Sequence, residues 1–169
     1  MITNDARPTA PTGRVKLPTM VTVTQLQPSE VAHVDRYLPL SRLDQQRAEG
    51  STYLVAWDDD QPIAHAHIAW VGTHLGVPEI QDVFVVPERR RRGIAAQLMD
   101  AAEQEARARG WDSISLSTSH EGNVAARQLY AKLGYADAGV DPVRVSGSIM
   151  LRGRPFEVDD ILLYLVKPL

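Results

Sequence analysis

Four consecutive arginines, Arg89 to Arg92, stand directly before Gly93, and they follow the apolar run Val83–Val86 and Pro87. The proline ends a predicted strand, and the glycine and the small residues after it favour the start of a helix. Unpaired N–H groups at a helix N-terminus bind anions, and a glycine lets a diphosphate approach the backbone because it has no side chain. Arginine adds positive charge and forked donors for phosphate oxygens. The segment therefore predicts a site for a phosphate-bearing ligand, with a solvated loop or a basic patch for nucleic acid as alternatives.

The composition of the chain limits the partners that this site can have. A length of 169 residues with 44% hydrophobic residues predicts one domain with its own core. The net charge of −3 argues against a general nucleic-acid-binding protein, so the arginine run is a local feature and we expect no nucleic-acid partner. The chain has no cysteine, which excludes a disulfide, a thiolate metal site and a cysteine nucleophile.

Residues 1–19 are rich in threonine and proline, and we expect them to form a flexible N-terminal tail before a domain spanning residues 20–169. The tail lacks the basic start and the apolar stretch of a signal peptide, and no later segment reaches the length of a membrane span. The sequence therefore predicts a cytoplasmic protein with no membrane contact.

Alternating and helical hydrophobic patterns, interrupted by glycine and proline, predict the order of the elements. Strands are predicted over residues 20–26, 52–57, 62–71, 78–86, 111–118, 135–139, 143–151 and 156–166, with turns at residues 58–60 and at Gly153. Helices are predicted over residues 28–36, 41–49, 94–109 and 123–133. A right-handed crossover between the strands at 78–86 and 111–118 places the phosphate site at a strand-to-helix turn. The predicted fold class is α/β (mixed α+β), a single domain whose central, mixed, largely antiparallel twisted sheet has about seven strands flanked by about four helices.

The order of these elements and two short motifs resemble the GNAT superfamily of N-acetyltransferases. The signature of that family places Arg or Gln three residues before a Gly and a small residue two positions after it, as in Arg90, Gly93 and Ala95. A second family motif, an asparagine followed by a tyrosine and a closing Gly-aromatic pair, is matched by Asn123, Tyr130 and Gly134-Tyr135. The resemblance covers residues 79–135 by motif and the flanking segments by element order.

The resemblance implies an enzyme, an acyltransferase that moves the acetyl group from acetyl-CoA to a primary amine by direct attack in a ternary complex. The acceptor would be a small molecule, a peptide or a protein, and no motif in the sequence identifies it. An alternative is a non-catalytic sensor or regulatory module that binds CoA or acyl-CoA. The C-terminal strands would complete the acceptor pocket or support a homodimer.

The resemblance also implies which residues contact the cofactor, acetyl-CoA. Backbone groups of Val83, Phe84 and Val85 would pair with the pantetheine arm as an added strand does, and N–H groups from Arg91 to Ala96 would hold the pyrophosphate. Asn123 would contact the cofactor, with a simple helix cap as the alternative. The implied cofactor-binding residues are Val83, Phe84, Val85, Arg90, Arg91, Arg92, Gly93, Ile94, Ala95, Ala96, Asn123 and Tyr130.

Acetyl transfer needs a proton for the departing thiolate and stabilisation of a tetrahedral oxyanion. Tyr130 resembles the family tyrosine that lies near the thioester sulfur, and a tyrosine with a pKa of about 10 is protonated at neutral pH. Tyr130 is therefore the predicted general acid, with an ordinary core tyrosine as the alternative. The N–H of Val85 is the predicted oxyanion donor.

The acceptor amine must also lose a proton, and Glu79 is the leading candidate for the base. It lies four residues before Val83, which resembles the position of the glutamate base in the histone acetyltransferase branch of the family. Strand alternation predicts Glu79, Gln81 and Val83 on one face and Asp82 on the other. A water molecule is the alternative base, with Glu79 as a solvated surface residue. The position that carries a glutamate in another branch corresponds to Thr118 in this sequence.

His65 and His67 stand two residues apart on one predicted strand face, a spacing that occurs in metal sites. No third ligand is evident near them in the sequence and the chain has no cysteine, so we expect no metal. Acetyl-CoA is therefore the one expected cofactor.

Overall fold

Eight strands form one mixed sheet in the computed structural model, which describes residues 20–43, 50–151 and 154–169. The strands are β1 (Val21–Gln25), β2 (Ser51–Asp58), β3 (Gln61–Ala69), β4 (Glu79–Val85), β5 (Ser113–Ser119), β6 (Ala136–Asp137), β7 (Val143–Leu151) and β8 (Arg154–Pro168). Their order across the sheet is β1-β2-β3-β4-β5-β8-β6, and β7 pairs with the first half of β8. Within the described residues, every strand pair is antiparallel except β4 with β5.

Three α-helices lie in the described part of the chain: α1 (Val31–Val34), α2 (Ile94–Ala108) and α3 (Val124–Lys132). Short 3-10 turns, Pro28–Glu30 and Pro87–Arg89, precede α1 and α2. Most of the helix predicted over residues 41–49, the tail predicted at 1–19 and the turn predicted at Gly153 lie outside the described residues. No described helix combines the length and the apolar character that are needed to cross a membrane.

The predicted fold class, a mixed and largely antiparallel sheet flanked by helices, is confirmed, with one sheet of eight strands. The sequence predicted about seven strands and about four helices. The strand predicted over residues 62–71 is too long: β3 ends at Ala69, because Val71 is exposed and Gly72 turns the chain with φ +70. The helix predicted over residues 28–36 is reduced to a 3-10 turn and the single turn of α1.

The two faces of the sheet are buried by different elements. The α2 face is covered by helix α2, whose core side chains recur at helical spacing. These side chains are Ile94, Leu98, Met99, Ala102 and Ala106. The α1 face is covered by α1 and the segment after it, and its core is formed by Leu26, Val34, Leu38, Leu40, Tyr53, Val55 and Trp57. The sheet therefore separates two clusters of buried residues.

Glu103 of α2 is buried, although its spacing from Arg107 predicts a pair on the outer face of the helix. The Tyr135 hydroxyl donates to Glu103 Oε1 at 3.1 Å, and Lys167 Nζ donates to Oε2 at 2.7 Å. Each carboxylate oxygen thus has a donor, as a buried charge requires. These contacts attach α2 to β8 and to the segment that follows α3.

Strands β4 and β5 form a short parallel pair and then separate. They pair only at Glu79 with Ser115 and at Ile80 with Leu116. Beyond these pairs each strand continues without the other, so a gap opens in the middle of the sheet. The backbone groups that line the gap are available to a ligand.

Candidate active site

A β-bulge at Asp82 determines which groups of β4 face the gap. The register between β3 and β4 shifts between His65 and His67, and Asp82 has φ +50, a left-handed value that is uncommon outside glycine. The extra residue changes the face on which each later side chain lies. After the bulge, Val83 and Val85 pack into the core of the α2 face.

The predicted faces of β4 are therefore wrong at two positions. Glu79 and Gln81 lie on the α1 face, but Val83 lies on the α2 face because the bulge inverts the alternation. Asp82, which was predicted opposite Glu79, is on the α1 face as well, where it forms an ion pair with Arg42. The two carboxylates of β4 consequently share one side of the sheet.

The backbone N–H and C=O of Val85 face the gap. The N–H of Val86 donates to the Ile63 carbonyl of β3 at 3.0 Å. In an antiparallel pair, successive residues direct their polar groups alternately to the two sides of the strand. The groups of Val85, and of Val83 two residues earlier, are therefore directed away from β3. Phe84 directs its own groups toward β3, so it contributes to the wall of the site and not to pairing across the gap.

A cleft of about 410 Å³ follows the gap. Its wall comprises β4, the arginine-rich loop, the first turn of α2 and one side of α3. The lining residues are Val83, Phe84, Val85, Arg89, Arg90, Arg91, Gly93, Ile94, Ala95, Ala96, Asn123, Ala125, Ala126, Leu129 and Tyr130. Every cofactor-binding residue predicted from the sequence lines the cleft except Arg92. Arg89, Ala125, Ala126 and Leu129 also line the cleft and were not in the predicted set. The position of Ala126, one helical turn before Tyr130, is a signal that could have identified it.

The loop before α2 has the geometry of an anion site. Gly93, the N-cap residue of α2, has φ +76, and a Cβ placed on it would meet no atom within 4 Å. The space beside this glycine is therefore open. No side chain caps the helix, so the first N–H groups of α2 have no side-chain acceptor. An anion bound here would satisfy these donors and would interact favourably with the helix dipole.

The sequence predicted that the four arginines would bind phosphate together, but their side chains have different partners in the structure. Arg89 forms an ion pair with the buried Asp58 at the end of β2, so its side chain attaches the loop to the sheet. Arg91 lines the cleft and has a left-handed φ of +61, whereas Arg92 is exposed and lies outside the cleft lining. Arg91 is therefore better placed than Arg89 or Arg92 to contact a phosphate.

Arg90 folds back onto β4. Its Nε donates a hydrogen bond to the Val85 carbonyl at 3.0 Å, and its guanidinium carbon lies 5.9 Å from the centroid of the Phe84 ring. The acceptor in this bond is the carbonyl that faces the gap. A ligand that pairs with Val85 as an added strand would compete with Arg90 for it.

Tyr130 and Asn123 form the α3 side of the cleft. Asn123 caps α3, because its Oδ1 accepts a hydrogen bond from the Ala126 N–H at 3.2 Å, and the residue also lines the cleft, so the cap does not remove it from the predicted site. Tyr130 is half-buried and packs edge-on against Tyr135, with ring centroids 6.3 Å apart. Burial raises the pKa of Tyr130, so its hydroxyl is protonated at neutral pH.

Glu79 lies at the point where β4 and β5 separate. Its side chain is 5% exposed, and its Oε1 accepts a hydrogen bond from the Ser117 hydroxyl at 2.8 Å. Tyr164 of β8, which pairs in register with Ser117, is close enough that the Glu79 charge adds to burial in raising the pKa of Tyr164. His74 stacks on the Tyr164 ring with centroids 4.4 Å apart. Ser117, Tyr164 and His74 were not predicted, because the pairing of β5 with β8 is not visible in local sequence spacing.

His65 and His67 lie side by side in the buried α1 face. His65 is 1% exposed and burial lowers its pKa to about 4. Burial, followed by the charge of Arg42, lowers the pKa of His67, whose Nδ1 lies 3.1 Å from Gln81 Oε1. Both rings are therefore neutral at physiological pH. No group of three residues suited to a metal occurs among the residues that the structure describes.

The sequence profile of the acetyltransferase (GNAT) family matches residues 20–135 of this chain. A protein of Bacillus subtilis (strain 168) named uncharacterized N-acetyltransferase YsnE is 29% identical over 127 residues, which cover 71% of this chain and 79% of that protein. The segment matched by the family profile includes the arginine-rich loop, the residues that line the cleft and the Asn123 helix.

Solved acetyltransferase structures share the fold at lower identity. An IAA acetyltransferase from Bacillus cereus aligns with a TM-score of 0.63 and 17% identity, covering 89% of this chain and 100% of that chain. A GNAT family acetyltransferase from Elizabethkingia anophelis with acetyl-CoA bound aligns with a TM-score of 0.62 and 18% identity, covering 88% of this chain and 98% of that chain. The ribosomal-protein-S18-alanine N-acetyltransferase from Escherichia coli aligns with a TM-score of 0.64 and 20% identity, covering 88% of this chain and 94% of that chain. At these identities the likeness concerns the fold.

Proposed function

Because this chain belongs to the acetyltransferase (GNAT) family, it is an acyltransferase that uses acetyl-CoA, and we propose that it acetylates a primary amine in a ternary complex. The acceptor would be a small molecule or an amino group of a peptide or protein. The observation that carries the proposal is the gap between β4 and β5, where the Val85 backbone faces a cleft that also contains the Gly93 loop.

Acetyl-CoA would lie along β4 with its pyrophosphate at the start of α2. The amide groups of the pantetheine arm can pair with the backbone groups of Val83 and Val85 that face the gap, as an added strand does, once Arg90 leaves the Val85 carbonyl. The pyrophosphate can accept hydrogen bonds from the first N–H groups after Gly93, with the Arg91 guanidinium as a further donor. This placement leaves the thioester in the gap.

The departing thiolate would take its proton from Tyr130. When the amine nitrogen attacks the thioester carbonyl, the carbonyl oxygen becomes an oxyanion, which the Val85 N–H can stabilise. Collapse of this intermediate breaks the C–S bond, and the thiolate receives the hydroxyl proton of Tyr130. The raised pKa of Tyr130 keeps that proton in place until the thiolate forms.

The amine would approach from the α1 face, because the cofactor occupies the cleft on the α2 and α3 side. Glu79 is on the α1 face, and the Ser117 hydroxyl fixes one of its carboxylate oxygens. We assign Glu79 the role of base, which removes the proton from the amine directly or through one water in the gap. Its low exposure favours the route through water.

Release of free thiol from acetyl-CoA tests this proposal. We expect turnover with at least one member of a panel of small amines, antibiotics, polyamines and peptides. Tyr130→Phe should lower kcat by about a hundredfold or more without weakening acetyl-CoA binding, because it removes the transferable proton and little else. Tyr37→Phe, at a residue that is 51% exposed, is the matched control. Saturable binding of acetyl-CoA without turnover on any amine would instead indicate a sensor module.

The Glu79→Gln variant tests the proposed base independently of the proposed acid, Tyr130. We expect a lower kcat near neutral pH and a partial recovery at higher pH, where the amine loses its proton without a protein base. Glu105→Gln, on the outer side of α2, is the control for a lost carboxylate. A pH profile equal to that of the wild type in Glu79→Gln would assign the base role to water.

We further propose a cytoplasmic location and a homodimer formed through the β7–β8 hairpin. Ile149 and Phe156 are paired across the hairpin and are exposed by 45% and 56%. An apolar pair of this kind supports contact with a second copy of the chain. Analytical ultracentrifugation of the wild type and of Phe156→Ser tests it, since a wild-type protein that stays monomeric at high concentration would exclude the dimer.

A further inference from the structure

Asp82 has a backbone conformation that most side chains avoid. Its φ of +50 is in the left-handed region, where a residue with a Cβ is disfavoured. Aspartate and asparagine enter this region more readily than other non-glycine residues. Surrounding contacts must still hold such a residue in place.

Ser41 and Arg42 supply these contacts, and Tyr53 in turn binds the backbone of Arg42. Asp82 Oδ2 accepts a hydrogen bond from the Ser41 hydroxyl at 2.9 Å and forms an ion pair with Arg42 Nε. The Arg42 backbone N–H donates to the Tyr53 hydroxyl oxygen at 2.7 Å. We name Asp82, Ser41, Arg42 and Tyr53 the Asp82 clamp. The side chains of Arg42 and Asp82 are 32% and 30% exposed, so water screens the ion pair only in part.

The clamp lies directly behind the backbone groups that face the gap. Val83 and Val85 follow Asp82 on the same strand, and the bulge sets the direction of their N–H and C=O groups. If β4 lost the bulge, the alternation would shift by one residue and the groups of Phe84 would face the gap instead. The clamp is therefore placed to select which backbone groups a ligand meets.

We propose that the Asp82–Arg42 ion pair is a positioning device for acetyl-CoA binding. It holds the bulge in the register that turns the backbone groups of Val83 and Val85 toward the gap. It also attaches residues 41 and 42, on the face from which the amine approaches, to the strand that binds the cofactor. Asp82 acts through the backbone and contacts neither substrate. This role rests on the proposed placement of pantetheine along β4.

Substitutions that remove the charge and keep the shape test the clamp. Asp82→Asn retains the size and the left-handed tolerance of the residue, and Arg42→Gln removes the cation while leaving the bulge residue in place. We expect each to raise the Kd for acetyl-CoA, measured by calorimetry, by about fivefold to tenfold, because a charge-assisted hydrogen bond is lost. The double variant should bind no more weakly than either single variant, since both changes break one interaction.

Further variants separate positioning from stability. Asp82→Gly relieves the left-handed strain but lacks the clamp, so we expect it to fold and still to bind acetyl-CoA weakly. Arg42→Lys retains the charge and should recover part of the affinity. Asp159→Asn breaks the exposed Arg144–Asp159 pair of the β7–β8 hairpin, which has the same chemistry, and should leave the Kd unchanged. Amide hydrogen exchange at Val86, whose N–H donates to the Ile63 carbonyl of β3, should accelerate in Asp82→Asn and in Arg42→Gln but not in Asp159→Asn.

The outcomes distinguish this role from the proposed function. A wild-type Kd in both Asp82→Asn and Arg42→Gln, or losses that add in the double variant, would overturn the positioning role while leaving the proposed function intact. Failure of the wild-type protein to bind acetyl-CoA would overturn the proposed function itself. If Asp82→Asn does not fold, Arg42→Gln decides the question with the bulge residue unchanged.

Discussion

Arg90 Nε donates a hydrogen bond to the Val85 carbonyl oxygen 3.0 Å away, and that oxygen is the acceptor that β4 directs into the gap. The arginine side chain thus takes the place that a neighbouring strand would fill. Arg90 also belongs to the loop that is suited to bind the pyrophosphate, so one side chain joins two parts of the cofactor site. A cofactor that paired with Val85 as proposed would displace the guanidinium from this oxygen, and the guanidinium could then contact a phosphate.

Replacing Arg90 should change the binding affinities for the two ends of the cofactor in opposite directions. Arg90→Met removes a competitor for the Val85 carbonyl, so acetyl-pantetheine should bind about twofold to fivefold more tightly, in keeping with the net value of one exposed hydrogen bond. The same variant should bind adenosine 3′,5′-bisphosphate more weakly, because a cation is lost from the loop. Calorimetry with each fragment measures both effects. Weaker binding of both fragments would show that Arg90 does not compete with the pantetheine arm.

The Gly93 conformation predicts a loss of cofactor affinity when a methyl group is added. Gly93→Ala places a Cβ in the open space beside the loop and adds left-handed strain at φ +76. We expect the Kd for acetyl-CoA to rise by about tenfold or more, because the methyl group blocks the approach of the diphosphate to the backbone.

Gly139 provides a matched control for that experiment. It has φ +73, and a Cβ there also meets no atom within 4 Å, but it lies outside the cleft lining. Gly139→Ala should lower the free energy of unfolding by about 1 kcal/mol, as Gly93→Ala does, and leave acetyl-CoA binding unchanged. Equal affinities in the two variants would contradict the assignment of the Gly93 loop to the pyrophosphate.

The buried histidines predict a loss of stability in mild acid. Burial lowers the pKa of His65 from 6.5 to about 4. Between pH 4 and pH 6.5 the unfolded chain therefore binds a proton at this residue that the folded chain does not bind. The free energy of unfolding should therefore be constant above pH 6.5 and fall as the pH drops toward 4, by up to about 3 kcal/mol from this residue. His67 contributes in the same direction.

Urea denaturation at a series of pH values measures this dependence. His65→Leu should reduce the acid-induced loss, because the apolar side chain takes up no proton in the unfolded state. His120→Gln, at an exposed loop residue, serves as the control and should retain the wild-type dependence. An acid response of His65→Leu identical to that of the wild type would exclude His65 as its source.

The cleft was predictable because its parts are encoded locally. A proline that ends a strand, a glycine that turns the chain and small residues that start a helix act within a few positions of one another, as in Pro87, Gly93 and Ala95. Asn123 and Tyr130 are placed by the periodicity of a single helix. Residues on the same short element keep their relative positions in any tertiary context. The meeting of the Gly93 loop with Asn123 and Tyr130 in one cleft, by contrast, was implied by the family resemblance and not by local pattern.

The family resemblance implies a bulge in β4, but the distant contacts around it escaped prediction for a physical reason. The Asp82 carboxylate contacts Ser41 and Arg42, about forty residues earlier in the chain, and no pattern within β4 reports these contacts. Glu103 lies four residues before Arg107, a spacing typical of an exposed ion pair, yet its carboxylate is buried and accepts a hydrogen bond from Lys167 of β8. A helical wheel records which residues share a side of a helix but not which distant strand lies against it.

The early separation of β4 and β5 also has a mechanical consequence. The strands β1 to β4 and the strands β5 to β8 meet along a seam of only two residue pairs, so the two halves can hinge there without breaking any other strand pairing. We expect this seam to be more compliant than the longer strand pairings on either side of it, β3 with β4 and β5 with β8. A molecule that bridges it would stiffen both halves together, and the damping of motion would extend as far as β1, at the opposite edge.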